Sequence, residues 1–217
     1  MLAARAMYRL LLAVLLSAAS IGYAYAQAAP LREKVDYVAI EPQPVATGER
    51  IEVVEFFWYG CPHCNNLQPA LETWLKRKPA DVELRRIPAA FRDSWLPHAR
   101  VYYTLEALGE TGRLHQSVYT ALHQNKESLM NANETADWAA RNGIQPAQWL
   151  EAYNSPDVTR KVEASKDLTK TYSVPGTPSL VVDGRYLTSS GMAESMSALI
   201  QTLEGLIVMA RDRRGGR

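Results

Sequence analysis

Apolar and β-branched residues cluster in short runs in the first half of the chain. Residues 35–40, 51–57 and 82–87 form runs that are long enough for strands and too short for helices, so they predict three short β-strands. Between the last two runs, the apolar positions recur at helical spacing from Pro62 onward and predict a helix. A strand, a helix and a strand in this order predict a parallel pair joined by a right-handed crossover.

Helical periodicity then dominates the middle of the chain, where glycine and proline mark the boundaries between segments. Asn133 and Ser155 are candidate N-caps of the third and fifth segments. Five helices are too many for one crossover, so this stretch predicts an all-helical subdomain inserted into an α/β domain. The predicted helices are Leu96–Leu108, Thr111–Gln124, Glu134–Asn142, Pro146–Asn154 and Pro156–Thr171.

Strand-like patterning returns near the end of the chain. Residues 179–182 predict a strand, and the Asp-Gly pair that follows predicts a tight turn into a second strand at residues 185–187. Residues 192–209 predict a last amphipathic helix, and residues 211–217 predict a solvated tail. The helical insertion at residues 92–171 would therefore divide one α/β domain into residues 27–91 and 172–210.

The N-terminus has the pattern of an export signal. Two arginines precede an apolar stretch, and an Ala-Tyr-Ala motif at residues 24–26 predicts cleavage after Ala26. The alternative is an uncleaved membrane anchor, since residues 10–31 carry no charge. The strongly apolar core is, however, shorter than the roughly 20 residues that a membrane span requires. We therefore expect residues 1–26 to be a signal peptide and the mature protein to be exported.

Charge argues against nucleic acid as the main partner. The chain has 24 basic and 23 acidic residues, a net charge of +1, and loss of residues 1–26 with their two arginines leaves −1. Neither value predicts binding to nucleic acid or to a charged membrane surface.

The chain has two cysteines, Cys61 and Cys64, in the sequence Gly-Cys-Pro-His-Cys. A disulfide across so short a loop removes little chain entropy, so this pair predicts chemistry rather than structural support. Cys61 follows a predicted strand and starts a predicted helix, where free N–H groups and the helix dipole stabilise a thiolate. Pro62 would keep the first turn rigid, and His63 would add stabilisation to that thiolate. Half of a zinc site is the rival interpretation, but the chain has no second cysteine pair.

The Cys-Pro-His-Cys motif at a helix start, the helical insertion and a late Gly-Thr-Pro before a strand resemble the bacterial disulfide oxidases of the DsbA family. The resemblance covers nearly the whole exported chain and implies a thioredoxin fold with an inserted all-helical subdomain. It implies a monomeric periplasmic oxidase that passes its disulfide to reduced exported proteins and needs no cofactor or metal. A quinone-linked membrane partner of the DsbB type would reoxidise it.

The same resemblance implies roles for three further residues. Glu55 would be a buried proton relay for Cys64, although it could instead reach solvent at the strand end. Thr177 and Pro178 match the loop in which a cis-proline faces the active-site cysteines, whereas a plain turn proline is the alternative. The best-known family members carry valine at the position of Thr177, so its hydroxyl would adjust the redox properties of Cys61.

Other functions stay open at this point. A reductase or isomerase would use the same motif, although residues 27–48 are too short for the dimerisation domain that those types commonly carry. A metal- or peptide-binding module is the alternative from another class. The side chains of Trp58, Tyr59, Met192 and Met196 could line a peptide groove or simply belong to the core.

Overall fold

The computed structural model describes residues 30–215, within which five strands form one mixed sheet. The strand order is β1-β5-β4-β2-β3, and only β2 and β3 run parallel among these described strands. The predicted α/β class with a thioredoxin fold is confirmed. The strands are β1 Val38–Ala39, β2 Ile51–Phe57, β3 Val82–Pro88, β4 Ser179–Val182 and β5 Tyr186–Ser189.

Helix α1, Pro62–Leu75, connects β2 to β3 as the hydrophobic spacing predicts. Every residue of β2 is buried, since this central strand pairs with β3 on one side and with β4 on the other. One face of the sheet packs against α1 and the C-terminal helix, and Leu67 and Leu71 belong to the core between them. The parallel crossover therefore fixes the start of α1 at the carboxyl end of β2.

Five α-helices lie between β3 and β4 in the part of the chain that the structure describes, after a short 3₁₀ turn at Asp93–Trp95. Ser155 caps the fifth of them, as predicted, by accepting a hydrogen bond from the Val158 N–H. The predicted cap Asn133 is wrong. Asn131 caps that helix, since its side chain accepts from the Glu134 N–H at 3.0 Å and donates to the Glu134 carboxylate. The helices are α2 Leu96–Ala107, α3 Thr111–His123, α4 Ala132–Arg141, α5 Pro146–Tyr153 and α6 Pro156–Thr171.

The last helix, α7, spans Met196–Gly215 and differs from the prediction at both ends. It begins four residues later, where the Ser195 hydroxyl accepts a hydrogen bond from the Ala198 N–H. It also continues through the first five residues of the predicted tail, because Arg211 pairs with Asp81 and Arg214 pairs with Asp183. The pattern of apolar residues could not reveal ion pairs with residues so distant in sequence.

The first predicted strand is also shorter than expected. Strand β1 retains only two residues of the 35–40 run, because the chain makes a turn around Lys34, which has a positive φ of 66°. By contrast, the turn between β4 and β5 is the predicted Asp183-Gly184 pair, with φ values of 54° and 63°.

The predicted signal peptide, residues 1–26, lies outside the described residues. Among the helices that are described, none combines the length and apolar character that crossing a membrane requires.

Candidate active site

Cys61 lies at the N-cap of α1, directly after the carboxyl end of β2. Its φ of −87° and ψ of 119° are extended, and Pro62 occupies the first helical position. Among the described residues, no side chain caps this helix. The sulfur of Cys61 therefore stands where a capping oxygen normally accepts hydrogen bonds from the first-turn N–H groups.

The pKa of Cys61 is lowered from 9.0 to about 5. The largest cause is a hydrogen bond from the Cys64 side chain, and the Thr177 side chain and the backbone N–H groups of Cys64 and His63 lower the pKa further. Burial acts in the opposite direction and is outweighed. Cys61 is consequently a thiolate at neutral pH when the pair is reduced, and both cysteines are free in this structure.

Cys64 has the opposite electrostatic environment. It is completely buried, and burial raises its pKa well above the ordinary value. The hydrogen bond that its thiol makes with Cys61 and the charge of Cys61 raise the pKa further. The two sulfurs, three residues apart, are thus held in different protonation states, with Cys61 ionised and Cys64 protonated.

Glu55 is completely buried in β2, so it does not reach solvent at the strand end. Its carboxylate accepts a hydrogen bond from Arg86 Nε at 2.8 Å and another from Gln68 Nε2 at 3.1 Å. The same Gln68 nitrogen lies 3.4 Å from the Cys64 carbonyl oxygen. A polar chain therefore connects Glu55 to the helical turn that carries Cys64.

The sequence analysis did not identify Arg86 and Gln68 as site residues, although their positions in the sequence are informative. Arg86 is directly opposite Glu55 in the parallel register of β2 and β3. Gln68 lies four residues after Cys64, hence on the same face of α1, and is buried at a position where an apolar residue is usual. The acid in β2 and the arginine in β3 are visible in the sequence, but the strand register shows that they face each other.

The loop before β4 lies against Cys61. The Thr177–Pro178 peptide bond is cis, and the thiol of Cys61 donates a hydrogen bond to the Thr177 carbonyl oxygen at 3.3 Å. The N–H of Thr177 has no hydrogen-bond partner among residues 30–215. The backbone of Thr177 can therefore offer one donor, and its carbonyl becomes a free acceptor once the Cys61 sulfur carries no proton.

A surface cavity of about 530 Å³ runs along this loop. Met196 and the exposed His63 line it, and Met196 is one of the residues predicted for a peptide groove. The other three predicted groove residues do not line it. Tyr59 is buried in the core, and Trp58 stacks face to face on Trp95 with ring centroids 4.0 Å apart.

A second polar group beneath the site also escaped sequence reasoning. The Tyr59 hydroxyl and His115 Nδ1 are 2.8 Å apart, and the ring of His123 bonds to the Tyr59 carbonyl oxygen. Burial lowers the pKa of His115 well below its ordinary value. These contacts tie α3 to the strand-to-helix turn that carries Cys61, so the helical segment supports the site.

Comparison with known proteins identifies a family and close relatives. The DSBA-like thioredoxin domain matches residues 86–204. The thiol:disulfide interchange protein DsbA of Burkholderia cepacia is 37% identical over 94% of this chain and 98% of its own length. The corresponding protein of Pseudomonas aeruginosa is 35% identical with the same coverage.

Solved structures that resemble this chain belong to the same family. The crystal structure of Pseudomonas aeruginosa DsbA has a TM-score of 0.79 and 35% identity, and the match covers 83% of this chain and 94% of that one. The oxidoreductase DsbA from Xylella fastidiosa has a TM-score of 0.76 and 31% identity, covering 82% of this chain and 96% of its own.

Proposed function

Because the chain belongs to the DsbA family of thiol:disulfide oxidoreductases, we propose that it acts as an oxidase that donates its Cys61–Cys64 disulfide to newly exported proteins. The observation that carries this direction is the pKa of Cys61, about 5, beside a Cys64 pKa raised far above its ordinary value. A thiolate that is stabilised in the reduced pair makes the disulfide easier to reduce, and such a disulfide oxidises other thiols.

The first step forms a mixed disulfide. A substrate thiolate attacks the sulfur of Cys61, the Cys61–Cys64 bond breaks, and a bond forms between the substrate sulfur and Cys61. Cys64 leaves with the electron pair and takes up a proton. Cys61 is the sulfur that substrate reaches, because it is 8% exposed whereas Cys64 is 0% exposed.

The second step releases the oxidised substrate. A second substrate thiolate attacks the substrate sulfur of the mixed disulfide, and Cys61 departs as a thiolate. The substrate has then lost two electrons and two protons, and the cysteine pair has gained the two electrons. The low pKa of Cys61 favours this step, since a thiol of low pKa is a good leaving group.

Glu55 serves in this scheme as the proton relay for Cys64. Its connection to the Cys64 turn through Gln68 supports the role. Replacing Glu55 with glutamine should slow the step in which Cys64 gains or loses a proton and change the pH profile of that step. The pH dependence of this rate is measured by stopped-flow mixing. An unchanged dependence would show that Glu55 is not the proton relay.

Substrate docks as an extended segment along the loop that contains Thr177 and Pro178. The free N–H of Thr177 and its carbonyl are suited to pair with the backbone of an added strand. In the same scheme, Pro62 holds the first turn of α1, and the exposed ring of His63 contacts the bound segment.

The oxidase would work in the periplasm as a monomer, after removal of residues 1–26. A quinone-linked membrane oxidase of the DsbB type would restore the disulfide by accepting the two electrons. The export pattern at the N-terminus and the oxidising direction of the cysteine pair support this assignment.

Mixing the oxidised protein with a reduced, unfolded substrate protein tests the proposal. Disulfides should appear in the substrate with stoichiometric reduction of the Cys61–Cys64 pair. The Cys64→Ser variant, incubated instead with the disulfide-bonded substrate, should retain a mixed disulfide on Cys61, because Cys61 attacks the substrate disulfide, one substrate thiolate leaves, and no Cys64 is present to displace the other. The Cys61→Ser variant should be inactive with the reduced substrate. Disulfide formation by Cys61→Ser would contradict the scheme. A reduction potential close to that of thioredoxin would favour a reductase instead.

A further inference from the structure

The cavity beside Cys61 has one acidic side chain among its described lining residues, Glu194, and no lysine or arginine. Glu194 is exposed and makes no ion pair within residues 30–215. Apart from His63, the remaining lining groups are uncharged, and they include the hydroxyls of Ser189 and Ser190. A carboxylate without a partner therefore stands on the surface where we propose that substrate docks.

Two positive features act on Glu194 from nearby. Arg32 is close enough for Glu194 to raise its pKa, but the larger causes are the hydrogen bond and charge of Asp36. The Asp36 carboxylate accepts bonds from Arg32 Nε and Nη2, each at 3.1 Å. Because Asp36 already balances Arg32, these three side chains together carry a net charge of −1.

The second positive feature is the start of α7. Glu194 lies one residue before Ser195, which caps that helix. A helix N-terminus acts as roughly half a positive charge, so it reduces the negative potential of Glu194 without cancelling it. By this count Glu194 keeps a net negative charge in the cavity lining, and the Glu194→Gln substitution would remove it.

We propose that Glu194 determines substrate specificity by favouring cysteine-containing segments that carry lysine or arginine close to the reacting cysteine. The inference rests on the proposed docking of an extended substrate along the Thr177–Pro178 loop. Side chains two positions apart in an extended segment point to the same side. A basic residue two positions from the cysteine is thus directed toward the same surface as the cysteine itself.

Three synthetic peptides with one cysteine test this inference. They have a common Gly/Ser background and carry lysine, glutamine or glutamate two residues from the cysteine. The second-order rate constant for their reaction with the oxidised protein is measured at low and at high salt. A nearby lysine also increases the thiolate fraction of a peptide, so each peptide is compared between protein variants, which cancels that effect.

Relative to Glu194→Gln, the native protein should react about two- to fivefold faster with the lysine peptide and slower by a similar factor with the glutamate peptide. Both differences should shrink at high salt because exposed charges are screened. The glutamine peptide should react equally with both proteins. The Glu194→Lys variant should reverse the preference.

The Glu151→Gln variant is the matched control, because it removes an exposed acid in α5 that forms no ion pair with residues 30–215, and it changes the net charge equally. It should keep the native preference. Equal rates of the native protein and Glu194→Gln with the lysine peptide would overturn the inference while leaving oxidase activity intact. If none of the peptides reacts, the proposed function itself fails, and the inference fails with it.

Discussion

At the scale of single residues, the active site depends on the difference in pKa between two cysteine side chains. Cys61 stands at a helix start and accepts hydrogen bonds, whereas Cys64 is buried and donates one. A pKa lowered in one thiol and raised in the other leaves a single reactive nucleophile and leaving group at neutral pH. This difference in pKa between the two thiols supports the oxidising direction that we propose.

The reduced protein should therefore lose stability in acid because of Cys61. Its folded-state pKa of about 5 is lower than 9.0, so the unfolded chain binds more protons between these values and stability rises with pH there. From pH 5 to pH 7 the gain from this group is about 2 kcal/mol. Urea unfolding of reduced native protein and reduced Cys61→Ser at both pH values measures it, and an equal pH response of the two would contradict the assignment.

Replacing Thr177 with valine should raise the pKa of Cys61, because the Thr177 side chain lowers it in the native protein. Loss of one hydrogen bond to a charged group predicts a rise of about one pKa unit and a weaker oxidant. The ultraviolet absorbance of the thiolate during a pH titration gives the value. Thr177→Ser keeps a hydroxyl, so its Cys61 should titrate as in the native protein. If Cys61 of the valine variant has the native pKa, the Thr177 side chain does not stabilise the thiolate.

At the scale of elements, the start of α1 is held by packing as well as by Pro62. The indole of Trp58 lies over Gly60 and stacks on Trp95, which belongs to the turn before α2. Because the ring occupies the space of a side chain at position 60, a glycine is required there. The turn that presents Cys61 is therefore fixed by contact with the helical segment.

Gly60→Ala should destabilise the protein by about 1–3 kcal/mol, since overpacking at a rigid contact has costs of this size. The added Cβ would clash with Cζ2 of the Trp58 indole. Gly112→Ala in α3 is the control, because a Cβ there meets nothing within 4 Å. That change should be neutral or stabilising by up to about 1 kcal/mol. Equal thermal unfolding of the two variants would show that the Trp58 contact does not constrain the turn.

At the scale of the whole molecule, Arg86 connects three elements beneath the site. It lies in β3 and bonds to Glu55 in β2 and to Glu72 in α1. Its side chain is 16% exposed, and that of Glu55 is completely buried. Removing one member of a buried pair leaves the other charge without compensation.

Arg86→Met should thus lower the free energy of unfolding by about 3–5 kcal/mol. Arg160→Met, which breaks an exposed ion pair with Asp157 in α6, should lower it by less than about 1 kcal/mol. Urea denaturation of both variants provides the comparison. If the two variants lose equal stability, the buried Glu55–Arg86 pair contributes no more to folding than an exposed ion pair does.

The sequence pattern predicted those strands, helices and turns whose conformation depends on residues close together in the chain. Strand β2 and helix α1 follow from continuous burial and helical spacing, and the Asp183-Gly184 turn follows from residues that tolerate positive φ. The ends of α7 could not be predicted in this way. They depend on the Ser195 cap and on ion pairs of Arg211 and Arg214 with residues more than 30 positions away.

The sequence by itself determined the fold class, the reactive cysteine pair and the place of Cys61 at a helix start, because each depends on neighbours in the chain. Only the tertiary structure brought Thr177 against Cys61, across 116 residues, and placed Arg86 and Gln68 around Glu55. It also placed Glu194 in the lining of the cavity beside the Thr177–Pro178 loop. Hydrogen bonds and charge interactions act over a few ångströms in space, and the folded chain alone decides which groups come within that distance.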